Sequence, residues 1–548
     1  MVLAVAPAVV AWLIIAFGVN SPYWDQILIG DFLIRNHGRT FPDLGDLFAQ
    51  HNESRKFFPR ILFFYLARLS GWNVKWEMAA SLLVGCGIVA ITWLLLRRHL
   101  DTVTAVGATA AAALLILSPV QWWNWMFGIQ LVAFIPPLML GLALLCLRRG
   151  LVWAAALATA IATFSFANGM LLWVALVPSI VVSSLSRKRT AVIWAGSALA
   201  SGVLYFWGYH KPPGHPPLVL PFEAPFAFTG YCLAFLGHPV AWSRDLTVSM
   251  VIGAALCVAF AVGAATAFRN RISAALPWIA FGLYAMLSAA AAAAGRLRLS
   301  LAQSLEPRYA TFSIYFAVAV LLLLFVTASK RAASVAVVVL VTAHLLAVRS
   351  EWPHMKHFHR ERLVARTAID FALVAADHTA LQSFVYDDVA VARRTIAGLA
   401  AIGYLRLAQS DLVNRIDGGG PPIFGDFVGL EPLQGGIRSN PSIMRGWGAF
   451  GWAWLPGPSP ADAVLVTRVI REGEQLIGVA PEAALERRGI GEKEPALLYC
   501  GWQYPIPATI IPAGTVLKAW AYDTESRRAL RLAGSVTVPG DGQTASRY

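Results

Sequence analysis

The sequence predicts a polytopic α-helical membrane protein with about eleven transmembrane helices, followed by a soluble α+β region that ends in a small β-sandwich. Three observations predict it. Residues 1–348 are a succession of apolar segments of roughly membrane-spanning length, nearly free of charge. Only 14% of the chain is charged and 57% is hydrophobic, with a mean hydropathy of +0.61, where a soluble chain carries about 25% charged residues. The polar clusters between the apolar segments also sort onto alternate sides.

The predicted spans are approximately 3–19, 77–96, 103–118, 128–147, 151–167, 168–185, 190–207, 246–268, 275–294, 309–328 and 332–348. The first lacks a basic leader and a small-residue cleavage site, so it reads as a retained helix rather than a signal peptide. Within the transmembrane domain, 1–348, residues 20–76 form a long first outer loop. There Ser21-Pro22 reads as an N-cap followed by Pro at the first helical position. The helix it opens, Tyr23 to about Asn36, spaces Ile27, Leu28, Phe32 and Leu33 amphipathically and is expected on the membrane surface. Residues 57–70 are too short to span and carry Arg60 and Arg68, which suits an interfacial or half-inserted helix. Residues 226–238 read as a similar partial insertion, inside a Pro-rich outer loop, 208–245.

After Arg349 the composition changes. Residues 349–439 read as a helical juxtamembrane region, with helices over 354–378 and 391–416 and a break at Gly418-Gly419-Gly420-Pro421-Pro422. From 440 to 548, runs such as AVLVTRVI, ALLYCGWQY, TVLKAWAY and SVTV alternate with Pro/Gly turns, the pattern of a small antiparallel β-sandwich.

Charge sets the expected orientation. Arg97-Arg98, Arg148-Arg149, Arg187-Lys188-Arg189, Arg269 with Arg271, and Lys330-Arg331 follow alternate segments, which the positive-inside rule puts in the cytoplasm. The N-terminus is then cytoplasmic and the C-terminal domain periplasmic or extracellular, with the chain in a bacterial cytoplasmic (inner) membrane. The net charge of +14 is spread over membrane interfaces, so its expected partners are anionic membrane lipids and not nucleic acid. Cys86, Cys146, Cys232 and Cys257 lie in or beside apolar segments and Cys500 stands alone, so no disulfide framework follows. There is no Walker A loop, dinucleotide fingerprint or HExxH motif.

The outer face holds the candidate chemistry. Asp25, in YWDQ, suits a general base on an acceptor hydroxyl or a ligand to a divalent cation such as Mg or Mn. It equally suits a charge in the first turn of a helix, favoured by the helix dipole. His51, Asn52, Glu53 and Arg55 gather ionisable and hydrogen-bonding groups, with Glu53 as a second carboxylate and His51 as a donor to substrate; a solvated loop has the same composition. Arg296, Arg298 and Arg308, with Glu306, depart from positive-inside sorting and suit bidentate grip of a phosphate. Pairing with Glu306 or with lipid headgroups is the alternative. The loop of Trp122, Trp123, Asn124 and Trp125 offers stacking surface for a sugar, or simply an interfacial aromatic belt. His354, His357 and His359 read as a juxtamembrane surface.

The order of parts resembles the multi-spanning GT-C glycosyltransferases, in residues 24–25 (WD), 51–60 (HNESRKFFPR) and 71–73 (GWN). QWWNWMFGIQ (121–130), FSFANGMLLW (164–173) and AGRLRLSLAQSLEPRY (294–309) look like segments of uncharacterised bacterial membrane proteins with a GT-C-like core. The outer β-domain of those proteins is similar to the region of GWAW (451–454) and GWQYP (501–505). The resemblance covers most of the chain in layout, through loose motifs. It implies transfer of a sugar from a polyprenyl-phosphate-linked donor to an envelope glycan or lipid acceptor, usually with inversion. Asp25 would be base or metal ligand, Arg296 or Arg308 the phosphate contact, and Gln130, Asn168 and Tyr309 further substrate contacts. The family's paired acids are missing, since Gln26 follows Asp25, and Glu53 is the remaining second acid.

Two other functions fit less of the sequence. A flippase or transporter of lipid-linked glycans would place ionisable groups inside its spans, and these spans have essentially none at their centres. A non-enzymatic scaffold of a polysaccharide assembly complex would leave the outer acids and arginines without a shared task.

Overall fold

The computed structural model describes residues 2–182, 187–212, 214–408, 424–432, 447–457, 459–471, 473–506 and 511–539. The predicted break at 418–422 and the end of the predicted 391–416 helix lie outside them. The chain is mostly helical up to Ala401, and the strands of its sheets lie C-terminal to that point, apart from a short hairpin at 50–55. Among the described residues seven helices are long and apolar enough to cross a membrane: Lys75–Leu96, Thr102–Trp125, Gly128–Arg148, Leu246–Arg269, Ser273–Arg296, Pro307–Thr327 and Lys330–Asp370. Leu3–Phe17, Val152–Thr163 and Ala167–Val182 are apolar but shorter, and the predicted 190–207 segment lies in the helix Arg187–Phe206.

The contacts divide the chain into two units. The first comprises Met1–Gly18, Phe41–Leu66 and Lys75–Met355; the second comprises Val19–Thr40, Ala67–Val74 and Lys356–Tyr548. The segment 20–76 therefore contributes to both.

In the first unit the helix Ala310–Thr327 is buried on all sides from Ala310 to Leu323, which is why it carries no polar face. The segment predicted as a partial insertion forms the helix Pro225–Gly237 and packs on Leu246–Arg269 at very close range. A Cβ on Gly253 would lie 1.9 Å from the Leu233 carbonyl oxygen, and one on Gly237 would lie 2.0 Å from that of Ser249. Both neighbours are backbone and cannot rotate away, so only glycine permits the approach. Gly253→Leu is expected to separate the two helices and cost about 1–3 kcal/mol or more, read as a lowered melting temperature in detergent.

In the second unit the helix predicted from Tyr23 runs Asp25–Arg35, two residues later than predicted, and Ser21-Pro22 does not cap it. Trp24 sits at the N-cap with φ 48°, and its amide donates to the Val385 carbonyl at 2.6 Å. The backbone turn fixes the start, and no side chain caps it. Nor is the apolar face left for a membrane surface. Ile27, Ile29, Phe32 and Leu33 are buried, and Gly30 and Ile34 meet Thr395, Gly398 and Leu399 of the helix Val389–Ala401. The protein covers this amphipathic stripe with its own helix.

The last predicted span and the first juxtamembrane helix form one helix, Lys330–Asp370, with Pro353 inside it. A proline costs a helix one backbone hydrogen bond, and the helix continues past it here.

The C-terminal strands make two five-stranded antiparallel sheets. One is ordered Gly425–Pro432, Trp447–Leu455, Gly501–Ile506, Glu482–Leu485; the other is Arg528–Arg531, Val516–Asp523, Ala463–Ile470, Gly473–Val479. Ser459–Pro460 pairs on the first and Val536–Thr537 on the second. Phe427, Trp502 and Tyr504 from the first sheet and Val466, Ile477 and Leu517 from the second share one apolar core. The period-two burial of Trp447–Leu455 is the sequence signal for that facing.

Tyr504 sets a pH limit on this core. Its hydroxyl donates to Asp377 Oδ2 at 2.9 Å, and burial, then the Asp377 charge, push its phenol well above the ordinary value. A raised phenol pKa adds stability that is complete below the unfolded value of about 10 and is lost as pH rises above it. Alkaline unfolding of the wild type, followed by circular dichroism, is expected to begin above about pH 10, and Tyr504→Phe should flatten that dependence.

Candidate functional site

Glu53 lies in the turn of a short hairpin in which Gln50 pairs with Arg55 and His51 with Ser54. Asn52, at φ 50°, takes the left-handed turn position, which asparagine tolerates better than most residues. Arg55 locks the hairpin in place. It is buried and donates to the backbone carbonyls of Phe48 and Tyr205, each at 2.6 Å, and to that of Trp207. The Tyr205 hydroxyl donates to the Glu53 carbonyl at 2.6 Å.

The carboxylate projects from this frame. Arg296 Nη2 donates to Glu53 Oε1 at 2.6 Å, and His215 Nδ1 stands 2.9 Å from the same oxygen. The Glu53 side chain is 39% exposed, and among the described residues no donor reaches its Oε2. Its charge is felt nearby, since burial and then Glu53 push the Tyr209 phenol up. The three contributors to this group come from three widely separated stretches of sequence.

A second polar group lies in the same unit. Asn124 is fully buried and donates through Nδ2 to the Arg308 carbonyl at 2.9 Å and to Thr311 Oγ1 at 2.6 Å. Arg308 Nη2 donates to Gln303 Oε1 at 3.0 Å, and its guanidinium lies 5.2 Å from the Tyr309 ring centre. Its Nε is buried without a hydrogen-bond partner among the described residues. Tyr231, whose hydroxyl is likewise buried and unpartnered, is within electrostatic range of both Arg296 and Arg308. The two groups are bridged by the 164–168 loop. The Ala167 amide donates to Ser54 Oγ at 3.2 Å, and Phe166 stacks on Phe312 with ring centres 5.5 Å apart. Asn168 is half-buried in that loop and Gln130 half-buried at the end of its own, neither with a side-chain hydrogen bond among the described residues.

Several sequence expectations change on this geometry. Trp122 is 4% exposed and donates its indole N–H to Glu351 Oε2 at 2.8 Å, so it serves internal packing and does not present a face to a sugar. Trp125 is stacked on Phe134 inside the unit. Among the described residues none of Arg296, Arg298 and Arg308 pairs with Glu306: Arg296 goes to Glu53, Arg298 to Glu223 at 3.4 Å, and Arg308 to Gln303. His51 is buried and Asn52 exposed, both as parts of the hairpin.

Asp25 belongs to the second unit, half-buried in the first turn of Asp25–Arg35, and the Tyr386 phenol is pushed up first by burial and then by Asp387, Asp25 and Asp388. Among the described residues no three His, Cys, Asp or Glu side chains are grouped to hold a metal ion. Glu53 is a poor metal ligand for a further reason, since Arg296 occupies its Oε1 with a positive charge.

Two residues near this site were not legible beforehand. Arg244 Nε lies 3.4 Å from Glu351 Oε1, and Arg244 Nη2 donates to the Leu305 carbonyl at 3.2 Å. Glu351 is a lone acid in an otherwise basic stretch after the last predicted span, and that isolation was the only signal.

A scan against protein-family models finds no match, and comparisons with curated proteins and with solved structures find no relative.

Proposed function

We propose that the protein is a membrane glycosyltransferase of the GT-C type, with about eleven crossings. It would take a sugar from a polyprenyl-phosphate donor and transfer it to an envelope glycan or lipid acceptor at the outer face of a bacterial inner membrane. The observation that carries this reading is the Glu53 carboxylate, with one oxygen fixed by Arg296 and His215 and the other open. An oriented carboxylate with a free lone pair is what an acceptor hydroxyl requires of a general base. The hydroxyl proton passes to Glu53 Oε2 while the acceptor oxygen bonds to the anomeric carbon. The bond from that carbon to the phosphate oxygen breaks, and its electron pair stays on the phosphate. Arg308 and Arg296, aided by the Tyr231 hydroxyl, meet the charge that develops there. Displacement from the opposite side inverts the sugar. Asp25 is the alternative base, and the C-terminal strand region is the proposed acceptor-orienting part.

The test is transfer by the purified full chain in lipid, offered a panel of polyprenyl-phosphate sugars and envelope glycans and read by mass spectrometry. A mass gain of one sugar on an acceptor supports the proposal. Absence of transfer from every donor, with donor binding unaffected by Arg308→Gln, overturns it.

A further inference from the structure

Four arginines converge at the ends of two neighbouring helices. The helices Lys75–Leu96 and Leu131–Arg148 each end in a pair of arginines, Arg97-Arg98 and Arg148-Arg149. Together with Leu94 and Leu145 these four line a small notch that is open to its surroundings. Arg148 is set in place by donating through Nη1 to the Leu95 carbonyl at 3.1 Å, and its Nη2 lies 2.7 Å from His99 Nε2. Orphan carbonyls at a helix C-terminus are a natural anchor for such a side chain.

The positive charge is not compensated. Among the described residues no carboxylate forms an ion pair with Arg97, Arg98, Arg148 or Arg149. The nearby acid in sequence, Asp101, is engaged elsewhere: it caps Thr102–Ile116 through the Thr104 amide and faces Lys330 at 3.9 Å. His99 records the field, because burial and then Arg148 and Arg98 push its imidazole down, with no anion acting against them. Four guanidiniums around one notch repel each other unless an anion joins them, and planar forks suit phosphate oxygens.

We infer that this notch binds the phosphate head group of an anionic membrane lipid carrying two negative charges. The leucines name the source. Leu94 and Leu145 line the notch one turn inside the arginines on the two helices, so a phosphate held there has apolar wall beside it for acyl chains. Free phosphate would gain nothing from them. Basic pockets between membrane helices recognise polyanionic head groups in this way. The inference stands apart from glycosyl transfer and holds for any activity of the chain.

The experiment is native mass spectrometry of the full chain in detergent, titrated with cardiolipin, with phosphatidylcholine, and with inorganic phosphate as competitor. Wild type is expected to retain cardiolipin at least tenfold better than phosphatidylcholine, and Arg98→Gln/Arg148→Gln should remove that preference. Arg269→Gln/Arg271→Gln, which removes the same charge from another cluster of the same sorting, should leave it unchanged. Thermal unfolding of each variant confirms that it is folded. Equal loss in both double variants, no lipid preference in the wild type, or displacement by millimolar phosphate would each overturn the inference.

Discussion

Glu53→Gln is expected to lower the rate of sugar transfer by a factor of about 10² to 10⁴ while leaving donor affinity within about threefold. The amide keeps the shape of the side chain and an oxygen for Arg296, so the hairpin and its contacts to the Tyr205 and Trp207 carbonyls stay in place. What it loses is the ability to take a proton at Oε2. A kcat effect without a matching KM effect is the mark of an interaction used only in the transition state. Glu53→Asp shortens the reach and should retain part of the activity. Asp25→Asn is the parallel arm. A collapse there, with Glu53→Gln unimpaired, would transfer the base role to Asp25. Arg308→Lys separates the phosphate function from the base function, since it keeps the charge but loses the fork that matches phosphate oxygens. Its effect is expected on KM and kcat together, with donor binding weakened by about tenfold.

Much of the helical part was legible because its cause is local. Apolar runs of the right length and the absence of charge predict helices whatever packs on them, and every predicted apolar segment contains helix. The strands AVLVTRVI and TVLKAWAY were readable for the same reason, as the structure places Ala463–Ile470 and Val516–Asp523 there. The amphipathic stripe of Asp25–Arg35 was read correctly as a stripe and wrongly as a membrane surface. A periodic apolar face says that something covers it and not what, and the cover is the helix Val389–Ala401, hundreds of residues away. The candidate site had the same limit. Glu53, Arg296 and Arg308 were identifiable as ions in the polar stretches between apolar segments, but their partners were not. Arg296 reaches Glu53 across the chain where the neighbouring Glu306 looked more natural, and Trp122 turned inward to an acid that no motif marked. Aromatic residues near a membrane interface carry no sequence signal that separates a sugar platform from a packed core.

Arg244→Met should be among the most damaging single changes in the first unit, because it strands a buried acid. Glu351 is 2% exposed, and among the described residues it meets the Trp122 indole N–H at 2.8 Å and Arg244 Nε at 3.4 Å. Removing one partner of a buried pair leaves an uncompensated charge and typically costs about 3–5 kcal/mol, with a value near the lower end expected because Arg244 is partly exposed. The change also frees the Leu305 carbonyl, which Arg244 Nη2 holds at 3.2 Å, and with it the loop that carries Arg308. Melting temperature in detergent should therefore fall by several degrees, and donor binding should weaken with it. Glu351→Gln is expected to be milder, since its amide oxygen still accepts from Trp122 while the buried charge is gone. The double variant Arg244→Met/Glu351→Gln separates the two causes. If the stranded charge is the main cost, the double variant recovers most of the lost stability relative to Arg244→Met, while donor binding stays weak because the loop is still loose. If stability does not recover, the arginine acts chiefly through the Leu305 carbonyl, and Glu351 is then a packing residue of the Trp122 turn alone.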